Sequence, residues 1–181
     1  MVTSTDFRGL LNQRFAKNFF PIPATSPWDV GVKPPDFQLP NITQGGTVRL
    51  SEYRDQKPVI IAFTRIFTEK QYCPLCFPHI KKLNEQYEAF TERGAEVLLI
   101  TSTDAQQSEI VVQDLGLKMP LLCDPDCITF RAYAVGQALG APLPAQFVLD
   151  NRGILRYKHL FSFLHPNAEI QTLLTVLDNP F

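Results

Sequence analysis

Cys73 and Cys76, in the string Cys73-Pro74-Leu75-Cys76, are the side chains whose types and spacing are best suited to chemistry. They follow an apolar, β-branched run at 58–64 and open a stretch with helical periodicity. Unpaired N–H groups and the helix dipole favour negative charge at a helix start, so a thiol there ionises more easily. A thiolate attacks disulfides and peroxides, and a nearby thiol can close the intermediate as a disulfide. We therefore predict that Cys73 is an exposed, helix-capping nucleophile and that Cys76, in the first turn, is the resolving thiol.

The remaining cysteines, Cys123 and Cys127, leave a second interpretation open. Two cysteine pairs can hold a structural zinc ion, but this second pair is spaced Cys-x-x-x-Cys, and a strand and a helix separate it from the first. The spacing favours redox chemistry, and we expect no metal and no cofactor. Cys123 is expected to be a small buried hydrophobe, and Cys127 is a weaker candidate for relaying a disulfide.

Composition narrows the class of protein. The chain has 181 residues, of which 45% are hydrophobic and 19% charged, as in a globular protein with a sizeable core. A net charge of −1 gives no reason to expect nucleic acid or an anionic membrane as partner. No apolar run approaches the roughly 18 residues of a membrane helix, and the N-terminus lacks a signal-peptide pattern. We expect a cytoplasmic protein whose cysteines do thiol chemistry.

Strand and helix patterns alternate along the chain, which indicates the α/β class. We predict an N-terminal extension at 1–30 and a main domain at 31–181. In the extension, Phe7, Leu10, Leu11 and Phe15 have the spacing of an amphipathic helix over 6–20. We expect the extension to pack back on the domain; contact with a partner subunit is the alternative. In the domain, Asp126 is the expected cap of a helix that carries Phe130. The other core strands are expected at 95–101, 120–123, 146–150 and 154–157, and the other helices at 77–90, 104–115 and 168–177.

The order of these elements and several strings resemble the redoxin family, the AhpC/TSA (peroxiredoxin-like) branch of the thioredoxin superfamily. The resemblance covers about 31–177 and implies a thioredoxin-like fold, with a central mixed sheet, helices on both faces and the N-terminal extension added. The strings that carry it are Pro35-Asp36-Phe37-Gln38-Leu39-Pro40, Val48-Arg49-Leu50-Ser51-Glu52-Tyr53, Pro58-Val59-Ile60-Ile61-Ala62-Phe63, Gly94-Ala95-Glu96-Val97-Leu98, Pro120-Leu121-Leu122 with Asp124-Pro125-Asp126, and Phe147-Val148-Leu149-Asp150.

The sequence departs from the peroxiredoxin pattern at two places. Peroxiredoxins typically have Pro-x-x-x-Thr-x-x-Cys around the attacking cysteine, whereas Lys70 stands three residues before Cys73 and Thr68 lies in a longer loop. Where peroxiredoxins carry an arginine before the strand at 146–150, this chain has Pro144. A proline there is a thioredoxin feature, which implies a cis peptide bond at Pro144 and a substrate-binding surface shared with Thr64.

Groups that could tune the thiols lie on either side of them. Arg65, Thr68 and Lys70 are candidates for stabilising a Cys73 thiolate, because nearby cations and hydrogen-bond donors lower a thiol pKa. For Arg65 and Lys70 the sequence favours the alternative, a solvated charge at the surface. His79, just past the pair, could shuttle a proton, although its helix position is more typical of a surface residue.

The sequence thus predicts a peroxiredoxin-like antioxidant thiol oxidoreductase that cycles Cys73–Cys76 between dithiol and disulfide. Two alternatives stay open: a thioredoxin-like protein disulfide reductase with little peroxidase activity, and a degenerate, non-catalytic redoxin binding module. The substrate is a peroxide or a disulfide, the electron donor a thioredoxin-type protein or a small thiol, and a homodimer is allowed. Because the family's threonine and arginine positions are not filled, we expect slow peroxide turnover.

Overall fold

The computed structural model describes residues 12–179, and its centre is a five-stranded sheet. The strands are β1 (Gln38–Pro40), β2 (Thr47–Arg49), β3 (Val59–Phe63), β4 (Ile66–Thr68), β5 (Gln71–Tyr72), β6 (Glu96–Thr101), β7 (Leu121–Cys123), β8 (Gln137–Ala138), β9 (Ala141–Pro142), β10 (Ala145–Leu149) and β11 (Leu155–Leu160). The helices are α1 (Gln13–Lys17), α2 (Phe77–Glu85), α3 (Tyr87–Glu92), α4 (Ala105–Leu115), α5 (Ile128–Ala132) and α6 (Ile170–Asp178), with a short 3₁₀ turn at Leu50–Tyr53.

The central sheet is mixed, in the order β11-β10-β3-β6-β7. Strands β3, β6 and β7 run parallel, and β10 pairs antiparallel with both β3 and β11. Alternate residues of β3 enter two apolar clusters: Ile61 and Phe63 pack with α5 on one face, and Ile60 and Ala62 pack with α2, α3, α4 and α6 on the other. The α/β class, with a mixed sheet and helices on both faces, is confirmed.

Local structure differs from the sequence-based expectation in two short hairpins and one helix. The hairpins β4–β5 and β8–β9 pair only two or three residues each, too few to leave a periodic signal. The helix expected at 77–90 is divided at Gln86, which ends α2 and precedes α3. Its apolar stripe continues across the break, so periodicity alone could not reveal it.

The helix α5 begins differently from the prediction. Asp126 does not cap it; the carboxylate of Asp124 accepts the backbone N–H groups of Ile128, Thr129 and Phe130 at 3.0, 2.8 and 3.3 Å. The reason is the left-handed conformation of Cys127 (φ 55°), which marks the turn that carries the chain into the helix. Asp124 therefore occupies the N-terminus of α5.

The described part of the extension packs on the domain. Ile22 forms a β-bridge with Gln137, and the indole N–H of Trp28 donates to the carbonyl of Ala132 at 3.0 Å. Only Gln13–Lys17 of the predicted helix is seen, because Phe7, Leu10 and Leu11 lie outside the described residues. The division at 30/31 stays a prediction. Within 12–179, no helix is long and apolar enough to cross a membrane.

Candidate active site

The two cysteines lie at the start of α2, one turn earlier than predicted. Cys76, not Cys73, is the N-cap, and the helix begins at Phe77 with Pro78 at a position that needs no N–H partner. The carbonyl of Cys73 accepts the N–H groups of Cys76 and Phe77 at 3.0 and 2.9 Å. Cys73 therefore lies in the turn that leads into the helix.

Both thiols are buried, which corrects the expectation of an exposed Cys73. The exposed fraction is 5% for Cys73 and 0% for Cys76. The N–H of Cys73 donates to the carbonyl of Arg65 at 3.4 Å, so the chain that returns through β4 and β5 brings Arg65 back against the cysteine turn. All four cysteines of the chain are present as thiols.

The hydrogen bond between the two thiols separates their acidities. It is the main cause that lowers the pKa of Cys73 to about 6, with help from the backbone N–H groups of Leu75 and Cys76 and from the charge of Arg65, while burial opposes the shift. The same bond, together with burial, raises the pKa of Cys76. Cys73 is thus the thiol that ionises near neutral pH, in the direction predicted from its place before a helix. Its role as nucleophile stays a prediction.

Arg65 is a buried cation beside this pair. Its guanidinium donates to the carbonyls of Ala138 and, at 3.3 Å, Leu139, and it lies 4.7 Å from the ring centre of Phe67. Burial lowers the pKa of Arg65, and the two cysteines oppose that shift. Two neighbouring buried atoms, Nε of Arg65 and Oγ1 of Thr64, have no hydrogen-bond partner among the described residues. They are available as donors to a small ligand.

Thr68 and Lys70 belong to the β4–β5 hairpin. The Oγ1 of buried Thr68 accepts the backbone N–H of Lys70 at 3.2 Å, and Lys70 is exposed at the turn. The hydroxyl of Thr68 therefore stabilises the turn of the hairpin. That either residue stabilises the thiolate stays a prediction.

Pro144 does not have the predicted cis bond: the Leu143–Pro144 peptide is trans. The N–H of Leu143 donates to the carbonyl of Gly136 at 3.0 Å, and the chain passes from β9 almost directly into β10. This course suits the trans isomer, which X–Pro bonds favour in general. The inference of a thioredoxin-like substrate surface at Pro144 and Thr64 loses its main premise, although Pro144 is buried.

Two amide side chains, those of Gln146 and Asn167, support the loop between the cysteines. Neither was identified as a site residue from the sequence. The fully buried Gln146 accepts the N–H of Ala168 at 2.7 Å and donates to Oδ1 of Asn167 at 3.0 Å. Asn167 in turn donates to the carbonyl of Leu75 at 3.0 Å. Because the C=O and N–H of one planar peptide point in opposite directions, this bond directs the N–H of Cys76 towards Cys73. Isolated amides 21 residues apart leave no motif that could have revealed them.

His79 is buried rather than at the surface. Burial, reinforced by His159 and Lys82, lowers the pKa of His79 to about 4, while a hydrogen bond to the backbone of Ala168 opposes that shift. Nε2 is buried and has no partner within the part of the chain that the structure describes. The imidazole is therefore neutral at physiological pH and packs between α2 and the segment before α6.

Both thiols of the second cysteine pair have raised pKa values. Cys123 is buried at the end of β7, as expected, and burial raises its pKa. Burial and Asp124 raise the pKa of Cys127 to about 11, while its sulfur accepts an N–H of the Asn18 side chain at 3.7 Å. Among residues 12–179, no three His, Cys, Asp or Glu side chains are grouped so that they could hold a metal ion.

Comparison with known proteins identifies the family of this chain. A family model, that of the AhpC/TSA family, matches residues 30–158. A chloroplastic peroxiredoxin Q of Triticum aestivum is 27% identical over 188 residues, covering 98% of this chain and 83% of the relative. The thiol-disulfide oxidoreductase ResA of Geobacillus kaustophilus is 31% identical over 125 residues, covering 68% of this chain and 65% of the relative.

Solved structures agree on the fold. The reduced 2-Cys peroxiredoxin of Plasmodium vivax superposes with a TM-score of 0.73 at 21% identity, covering 84% of this chain and 81% of that one. The peroxidoxin BcpB of Mycobacterium tuberculosis gives 0.69 at 20% identity, covering 83% and 97%. These matches confirm the predicted thioredoxin-like fold.

Proposed function

Because this chain belongs to the AhpC/TSA family and is a peroxiredoxin-like, thiol-dependent oxidoreductase, we propose that it reduces small hydroperoxides with Cys73 as nucleophile and Cys76 as resolving thiol. The observation that carries the proposal is the hydrogen bond between the thiols, which lowers the pKa of Cys73 to about 6 and raises that of Cys76. One sulfur is thereby prepared to attack and the other to keep its proton until the second step.

The two steps balance in atoms and electrons. The Cys73 thiolate attacks one peroxide oxygen; an S–O bond forms, the O–O bond breaks, and the leaving oxygen takes a proton to become an alcohol or water. The sulfur of Cys76 then attacks the sulfenic acid at Cys73, forming the disulfide, and the departing hydroxide leaves as water with the proton from Cys76. Two thiols of an electron donor reduce the disulfide and become a disulfide themselves.

Two features of the site support a peroxide as substrate. With 5% of Cys73 exposed, a small hydroperoxide reaches the sulfur more easily than a disulfide in a folded protein. The unpartnered Thr64 Oγ1 and Arg65 Nε are donors suited to the peroxide oxygens. The rest of the Arg65 guanidinium donates to the carbonyls of Ala138 and Leu139, and the hydroxyl of Thr68 accepts the backbone N–H of Lys70. Because these groups are already hydrogen-bonded, we still expect peroxide turnover below that of an efficient peroxiredoxin.

Protein disulfide reduction is the second candidate. The similarity to the oxidoreductase ResA supports it. The buried Cys73 and the trans bond at Pro144 weigh against it. We further propose a thioredoxin-type protein or a small thiol as electron donor and a cytoplasmic location; a homodimer stays a prediction.

The test is hydrogen peroxide consumption with dithiothreitol or thioredoxin as reductant, run beside insulin reduction. We expect Cys73→Ser to lower peroxide consumption by at least about 10²-fold. Without reductant, Cys76→Ser should consume about one equivalent of peroxide and stop at the sulfenic acid of Cys73, because no second thiol is left to close the disulfide. The rate for wild type should rise with pH through about 6 and then level off, because the thiolate is the reacting form.

Cys123→Ser is the matched control, since it removes a buried thiol outside the pair, and should leave the rate unchanged. Insulin reduction that exceeds peroxide consumption would favour the second candidate. Peroxide consumption that survives Cys73→Ser would overturn the proposal.

A further inference from the structure

The N-terminal segment 14–22, here called the strap, is bonded at one end to the strand β4. The guanidinium of half-buried Arg14 donates to the carbonyl of Phe67 and to the carbonyl of Ser102, whose hydroxyl it also meets at 3.2 Å. Ser102 directly follows β6 of the central sheet. One side chain of the extension thus joins a short hairpin to the core of the protein.

The strap is bonded at its other end to the hairpin β8–β9. The N–H of Leu139 donates to the carbonyl of Phe19 and that of Gly140 to the carbonyl of Asn18, each at 3.0 Å, before the bridge between Ile22 and Gln137. A Cβ at position 140 would lie 2.0 Å from the ring of Phe15, and the φ of Gly140 is +86°. Glycine therefore permits this close approach.

Arg65 lies between the two anchored hairpins. Its guanidinium rests over the ring of Phe67, whose carbonyl binds Arg14, and donates to Leu139, whose N–H binds the strap. Neither hairpin belongs to the central sheet, and isolated two-stranded hairpins are marginally stable in water. The groups that fix Arg65 consequently depend on the strap for their own positions.

We propose that the strap fixes the Arg65 guanidinium beside the two active-site cysteines, and that Arg14 is the positioning residue through which it does so. The inference rests on the proposed role of Cys73. Attraction between a thiolate and a cation weakens with distance and with access of water. A loosened Arg65 would therefore stabilise the Cys73 thiolate less, and the pKa of that thiol would rise.

The experiment measures the pH dependence of Cys73 alkylation by iodoacetamide in reduced protein, with the labelled cysteine identified by mass spectrometry. For Arg14→Ala we expect the pKa of Cys73 to rise and the alkylation rate at pH 5.5 to fall about three- to tenfold, with no change above pH 9. Arg14→Lys should behave like Arg14→Ala, because one ammonium cannot span both carbonyls as the guanidinium fork does.

Two controls separate this from a bulk charge effect or a general loss of structure. Lys17→Ala removes an exposed cation from the same helix and should leave the profile unchanged. In an Arg65→Ala background, Arg14→Ala should cause no further shift, because its effect passes through Arg65. If Arg14→Ala does not fold, Phe67→Leu interrupts the same chain of contacts and should give the same shift.

An unchanged profile in Arg14→Ala, or a shift that persists without Arg65, would overturn the inference. Neither result touches the proposed function, which peroxide consumption by the wild-type protein and its Cys73→Ser variant tests separately.

Discussion

The two cysteine pairs lie at similar places in the fold, each at a turn between a strand and a helix. The pKa values of Cys73 and Cys127 are nevertheless shifted in opposite directions. Cys73 and Cys76 lie in the turn between β5 and α2, and Cys123 and Cys127 flank the turn between β7 and α5. All four are buried. The pKa of Cys73 is lowered to about 6, whereas that of Cys127 is raised to about 11.

The difference lies in what faces each sulfur. At Cys73 the hydrogen bond with the Cys76 thiol is the main cause of the lowered pKa, with help from the N–H groups of Leu75 and Cys76 and from the charge of Arg65. Before α5, the carboxylate of Asp124 takes the N–H groups of the first turn and adds a negative charge near Cys127. The pKa of Cys73 is therefore lowered because a second thiol and other donors lie beside it, whereas that of Cys127 is raised because the thiol is buried next to a carboxylate.

The largest expected contrast is in alkylation of the two cysteines. At pH 7 the pKa values of about 6 and about 11 make Cys73 mostly thiolate and Cys127 almost wholly thiol. The lower nucleophilicity of the more acidic thiolate offsets part of this, so we expect Cys73 to react about 10²-fold faster. Mass spectrometry after timed iodoacetamide quenching measures both rates. Since the two are similarly buried, equal rates would mean that access rather than ionisation governs them.

A smaller effect is expected from Asp124→Ala, which frees the N-terminus of α5. Losing the acceptor for three N–H groups should lower the free energy of unfolding by about 1–3 kcal/mol, measured by urea denaturation. The pKa of Cys127 should fall, because a negative charge is removed, but remain above that of Cys73 since burial is its larger cause.

The control for that substitution is Asp126→Ala, two residues away and exposed. It removes the same kind of charge without touching the helix N-terminus. Equal destabilisation by the two variants would contradict the assignment of Asp124 as the cap.

The smallest effect is expected from Asn167→Leu, which releases the carbonyl of Leu75. The peptide that directs the Cys76 N–H loses one of its fixed bonds, so the pKa of Cys73 should rise by less than about one unit. Alkylation at pH 6 should slow about two- to fivefold. Gln171→Leu, an exposed amide in α6, should change nothing. A drop in Asn167→Leu larger than that in Arg65→Ala would show that the amide network matters more than the cation.

The core of the fold could be predicted because its strands are continuous apolar runs. Parallel strands covered on both faces need such runs, and β3 and β6 have them. Helix α4 was also predicted at nearly its observed bounds, and in the structure Asp104 caps it and Gly116 has the left-handed conformation at its end. The hairpins β4–β5 and β8–β9 were missed because each pairs only two or three residues, too few to leave a periodic signal.

Only those features of the site that depend on neighbouring residues in the sequence could be predicted. The Cys-x-x-Cys spacing located two neighbouring thiols, and their place before a helix predicted which of them has the lower pKa. The burial of Cys73, the cap at Asp124 and the support from Asn167 depend on residues far apart in the chain or on single backbone angles. The cis bond at Pro144 was inferred from resemblance alone, and it was wrong.

The buried, neutral imidazole of His79 links folding to acidity. An unfolded chain accepts a proton at that ring with an ordinary pKa near 6.5, whereas the folded protein does so only at about 4. Between these two values the unfolded state binds more protons than the folded state. The contribution of His79 to the free energy of unfolding is therefore fully present above about pH 6.5 and is lost as the pH falls towards 4. This loss amounts to at most about 3 kcal/mol. The protein therefore begins to lose this contribution to stability in the same pH range in which the Cys73 thiolate is protonated, so acidification would lower reactivity and fold stability together.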